Sequence, residues 1–127
     1  MTNRATLSNY KEDKYYPKVV RVVAEILEHD RIVKTIDVFQ RIGVLSEDNI
    51  KKWKADQVGC LESVIECNLT KANRLMTLLG FHSHDKNLGK SSNFIKRKGQ
   101  YLRFSKSGAQ KIEECYARQY SVIGKKS

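Results

Sequence analysis

The side chains of this 127-residue chain best suited to metal chemistry are His82, His84 and Asp85, with Cys60 and Cys67 upstream. Structural zinc needs about four converging ligands, usually in tightly spaced pairs. Cys60 and Cys67 stand seven apart, two turns along one face of a helix. His82 and His84 stand two apart, a spacing that turns helical side chains away from each other. Two small buried thiols and two polar helix-end residues account for the set, so no metal is expected. Glu62 and Glu66 form an i, i+4 carboxylate pair of the kind that can hold Mg²⁺, and a solvated helix face accounts for them more simply. There is no GxSxG elbow and no Walker loop. Nothing joins a nucleophile, a base and an oxyanion site, so a non-enzyme without a cofactor is expected.

The chemistry that the composition favours is anion binding. Lys and Arg number 24 against 14 Asp and Glu, a net charge of +10. Met1–Asp85 holds 13 basic and 12 acidic residues, whereas Lys86–Ser127 holds 11 basic residues and only Glu113 and Glu114 as acids. Charge concentrated in the last third points to a polyanionic partner. Ser105-Lys106-Ser107-Gly108 adds a specific candidate: at a helix start, free backbone N–H groups, a lysine and two hydroxyls can receive phosphate.

These residues need elements to position them. Pro17 suits a first helical position, and Val19, Val22, Val23, Ile26 and Leu27 share a face, which predicts a helix over Pro17–His29. Thr35 caps a second helix ending at Gly43, and Ser46 a third containing Ile50 and Trp53. Val58, Leu61, Val64, Ile65 and Leu69 predict a helix over Val58–Asn68. Thr70 caps the next, with Ala72, Leu75, Met76 and Leu79 inward, Lys71, Asn73, Arg74 and Thr77 outward, and Gly80 weakening its end. Phe94–Lys98 and Tyr101–Ser105 alternate around Gly99-Gln100, which predicts a type II′ hairpin with Lys96 opposite Arg103. Ile95, Arg97, Leu102 and Phe104 then share the face toward the helices, and Lys96, Lys98 and Arg103 the other, beside Phe94 and Tyr101. Ser107 caps a last helix running through Gln119 and Tyr120.

The expected fold is mainly α with a small β-hairpin: a helical bundle, a wing and a C-terminal helix. Residues 1–14 are read as a flexible arm, 15–122 as one domain and 123–127 as a short basic tail. No apolar run reaches the ~18 residues of a membrane span, so no membrane is expected. Met1–Lys14 lacks the apolar core of a secretory signal, and three cysteines without a CxxC pair fit a reducing, cytoplasmic setting.

Over Pro17–Ser105 this order of elements resembles winged-helix DNA-binding domains, a family that seats one helix in the major groove and lets a hairpin touch the flanking backbone. The resemblance implies that Lys71, Asn73, Arg74 and Thr77 meet the groove, and that Lys96, Arg97, Lys98, Tyr101, Arg103, Ser105 and Lys106 meet the phosphates. The extra helix at Val58–Asn68 departs from that pattern. The strings YYPKV, IDV, LESVIECNLTK, FHSHD and LRFSKSG also resemble a family of small uncharacterised bacterial proteins. That resemblance implies a single-domain unit and no assigned activity; the family's hairpin turn is Trp-Gly-Lys, whereas this chain has Lys98-Gly99-Gln100. The function expected is duplex DNA binding. RNA binding, with Phe94 and Tyr101 stacking on bases, and an adaptor for an acidic protein are the alternatives, and a homodimer is left open.

Overall fold

The computed structural model describes residues 10–122. Its elements are α1 (Tyr16–Leu27), β1 (Ile32–Lys34), α2 (Thr35–Ile42), α3 (Glu47–Lys54), α4 (Leu69–Asp85), β2 (Gly89–Ser92), β3 (Lys96–Arg97), β4 (Gln100–Tyr101), α5 (Gln110–Ala117) and β5 (Arg118–Ser121). One-turn 3-10 segments lie at Tyr10–Glu12 and Leu61–Val64. The protein is mainly helical with little sheet, and no helix among the described residues is long and apolar enough to cross a membrane.

The amphipathic helices form where apolar spacing requires them. Val19, Val22, Val23 and Ile26 of α1 are buried, and so are Leu75, Leu78 and Leu79 of α4. Pro17 sits in the first turn of α1. Ser46 caps α3, its hydroxyl accepting the Asn49 N–H at 3.1 Å. Gly43 ends α2 at φ 100°, a conformation that L side chains rarely adopt. Thr35 is not a cap: Lys34 holds that position, and the buried Thr35 hydroxyl donates to the Arg118 carbonyl at 3.0 Å.

The helix expected over Val58–Asn68 is absent. Leu61 and Glu62 donate their N–H groups to the carbonyls of Arg103 and Phe104 at 3.1 and 2.9 Å, and Glu66 donates to Val44 at 2.7 Å. Long-range pairing consumes the donors a helix would use, so a single 3-10 turn is left. Helix α4 then begins one residue before Thr70, capped by Asn68, whose side chain accepts the Lys71 N–H at 2.8 Å. It passes through Gly80 and continues to Asp85.

The three-stranded sheet has the order β1-β5-β2, and both pairings are antiparallel. Tyr120 of β5 faces Val33 on one side and Lys90 on the other. The last helix is therefore shorter than expected. It starts at Gln110 behind Ala109, not Ser107, and the chain leaves it at Arg118 to become the central strand, gaining a hydrogen-bonded neighbour on each edge.

The hairpin exists with a shifted register. Lys96 pairs with Tyr101 and Arg97 with Gln100, so the turn is Lys98-Gly99 and Lys96 does not oppose Arg103. Both turn residues take positive φ, 54° and 82°, as a type I′ turn requires and a type II′ turn does not. Leu102 and Phe104 are buried as expected, whereas Arg97, expected beside them, is exposed. This ribbon is a sheet of its own. It lies over the end of α3 and the loop that follows, beside Trp53, Asp56, Val58 and Gly59.

The expected arm is partly structured. Residues 1–9 and 123–127 lie outside the described residues, but Tyr10–Glu12 form a 3-10 turn. Asp13 is ion-paired to Arg74 of α4 at 2.7 Å.

Candidate nucleic-acid interface

Helix α4 buries Ala72, Leu75, Leu78, Leu79 and His82. The 3.6-residue repeat then aligns Thr70, Asn73, Thr77 and His84 on its exposed side. This polar stripe carries amide, hydroxyl and imidazole groups, the side-chain types that reach base edges. Thr77 also donates to the Asn73 carbonyl at 2.9 Å, which orients its hydroxyl along the helix. Inside the helix, the Tyr16 hydroxyl lies 3.4 Å from Nδ1 of buried His82, and the two rings meet edge to face at 5.7 Å. Burial, reinforced by the charge of Lys86, holds His82 below the ordinary imidazole range.

The stripe faces a groove of about 630 Å³ between α4, β2 and β5. Asn73, Thr77 and His84 line it from α4, Lys90 from β2, and Arg118 and Tyr120 from β5; Met76 and Phe81 add apolar surface. Gly80 leaves room there: a Cβ at this position would sit 3.5 Å from the Tyr120 hydroxyl. Burial pushes the Tyr120 phenol up, and the neighbouring Arg118 cation partly offsets this. The Arg118 Nε–H is buried and has no hydrogen-bond partner among the described residues. The groove thus joins two cations to a wall of amide and hydroxyl groups.

The residues expected to bind are divided by the fold. Asn73 and Thr77 stand on the stripe. Arg74 does not: its guanidinium is held by Asp13, whose side chain is only 7% exposed. Lys71 is half-buried, with Nζ 5.2 Å from the centre of the Tyr15 ring. On the ribbon, Lys96, Arg97 and Lys98 are exposed, and Lys96 lies 4.9 Å from the centre of the Tyr101 ring. Tyr101 is 64% exposed, but Phe94 is half-buried and packs at 5.9 and 6.4 Å on Tyr101 and Phe104. Phe94 is therefore unsuited to stacking on a base.

The expected phosphate loop is already filled by carboxylates. Glu113 accepts from the Phe104 N–H at 3.0 Å, the Ser105 N–H at 2.7 Å and the Ser105 hydroxyl at 2.6 Å. Glu62 accepts from the Lys106 N–H at 2.7 Å and the Tyr116 hydroxyl at 2.8 Å. Gly108 donates to Ser105 Oγ at 3.0 Å, and Ala109 donates to Ser107 Oγ at 3.2 Å. Arg103 folds its guanidinium back onto the carbonyls of Ser105 and Lys106. Ser105 is fully buried, so of this segment the Lys106 side chain and its exposed neighbours alone face outward.

No family model, curated protein or solved structure matches the chain.

The candidate site is therefore described by its geometry alone. Lys90 and Arg118 are groove residues that sequence reasoning did not single out. Lys90 sits in a stretch that reads as a polar loop, and Arg118 in one that reads as helix. The only signal for either was membership of the basic last third.

Proposed function

We propose that the chain is a winged-helix-like domain that binds duplex DNA, with α4 as the helix presented to the major groove. The observation that carries this reading is the groove that sets the stripe of α4 beside the antiparallel β2–β5 pair. We read that pair as the wing beside a recognition helix, in place of the ribbon at Lys96–Tyr101, which lies over α3. A B-form major groove about 12 Å wide admits one helix, and Thr70, Asn73, Thr77 and His84 would enter it. Lys90 and Arg118 would meet phosphate at its edge, where contacts set register and not sequence. The exposed cations Lys96, Arg97, Lys98 and Lys106 would add sequence-independent attraction.

The test is fluorescence anisotropy of a labelled mixed-sequence duplex, with single-stranded DNA and RNA as competitors, at about 50 and 200 mM salt. Duplex binding that weakens steeply with salt is expected, with single strands competing less well. Stronger binding to single-stranded RNA would transfer the interface to RNA. Absence of binding to all three would leave an acidic protein as the partner to seek.

A further inference from the structure

We infer that Lys14 and Lys71, gathered at the Tyr15 ring, form a phosphodiester contact on the flank of α4 past the Phe81 edge of the groove. This rests on the DNA-binding reading above.

At 100° per residue, Lys71, Arg74 and Asp85 lie about 100–160° around α4 from Asn73, past Phe81 at the near edge of the groove. The N-terminal segment runs along that flank. Asp13 fastens it to Arg74 at 2.7 Å, and Lys11 to Asp85 at 3.5 Å. Just beyond the Asp13–Arg74 pair, toward the start of α4, Lys14 Nζ and Lys71 Nζ each lie 5.2 Å from the centre of the Tyr15 ring. The ring attracts both cations. Neither lysine has a carboxylate within ion-pair distance among the described residues, although Arg74 close by is neutralised. Two like charges are thus held at one ring without a counter-ion, and an anion is the group that completes the arrangement.

Its source follows from the position. A helix seated in the major groove has a phosphate strand on each side. Lys90 and Arg118 serve one side, and Lys14 and Lys71 are placed for the other. The segment carrying Lys14 is clamped to α4, so its charge keeps a fixed place relative to the stripe.

The test measures the salt dependence of duplex affinity for the wild type, Lys14→Gln, the double variant Lys14→Gln/Lys71→Gln, and Lys111→Gln on the exposed side of α5 as a control. The double variant is expected to lower the slope of log K against log salt by about 0.9, the value of one lost phosphate contact. Lys14→Gln alone should shift it in the same direction by less, and it gives the readout if the double variant loses stability. Lys111→Gln should leave the slope unchanged. If the wild type binds DNA with steep salt dependence and neither lysine variant alters the slope, or if Lys111→Gln alters it equally, this contact is overturned and the DNA reading stands. If the wild type binds no duplex, both fall together.

Discussion

Asp13 and Arg74 lie 61 positions apart in the chain and meet in a 2.7 Å ion pair, with 7% and 23% of their side chains exposed. The same carboxylate accepts the Tyr15 N–H at 2.9 Å through its other oxygen, so it ties the entry of α1 to the surface of α4. An arginine held in this way is a structural residue, and the proposed base contacts do not include it.

Arg74→Ala should therefore act on stability. It leaves a carboxylate almost fully enclosed without its partner, a situation between an exposed pair and a fully buried one. A loss of about 1–3 kcal/mol in urea unfolding is expected. The double variant Asp13→Asn/Arg74→Gln should recover part of it, because the Asn side chain can still accept from Tyr15.

Glu113 closes the loop after the ribbon by accepting three hydrogen bonds from Phe104 and Ser105. Glu113→Ala strands two backbone N–H groups and one hydroxyl beside buried Phe104. Hydrogen bonds to charged groups contribute about 1.5–3 kcal/mol each and are not additive, so a net loss of about 2–4 kcal/mol is expected in denaturant titration. Glu113→Gln, which keeps one acceptor, should lose less.

His82 makes stability depend on pH. Its folded pKa is lowered by burial, with Lys86 adding to the shift, so the unfolded chain takes up a proton first as pH falls. Its contribution is complete above the unfolded value of about 6.5 and declines below it until the folded pKa is passed. Urea unfolding should show stability falling with pH through this window in the wild type. In His82→Gln that dependence should be reduced. An equal slope in both proteins would assign the effect to other groups.

The stripe and the strands should separate in binding assays. Asn73→Ala and Thr77→Ala are expected to reduce the ratio between a preferred and a random duplex, by about 1–3 kcal/mol per lost base contact. Lys90→Ala, and Lys96→Ala with Lys98→Ala on the ribbon, are expected to weaken binding to every duplex, with the salt slope falling by about 0.9 per lost phosphate contact. Preferred sites for this comparison come from selection on a random duplex library.

Local rules account for the parts of the fold that neighbouring residues control. Apolar spacing places α1 within two residues at each end and the start of α4 within one, whereas α4 runs on through Gly80 to Asp85. Gly43 and Ser46 mark their helix boundaries, and the positions of Lys and Arg concentrate charge in the last third. The remainder depends on distant partners. Ile32–Lys34 and Gly89–Ser92 are too short to display an alternation, and they are strands because Arg118–Ser121 lies between them. Residues 118–121 continue a helical pattern, yet two ladders outweigh one more helical turn. The Val58–Asn68 stripe lost its helix because Arg103 and Phe104 take its N–H groups. The groove shares this origin: Asn73, Lys90 and Arg118 stand on three elements, and only the tertiary arrangement of α4 and the sheet brings them to one groove.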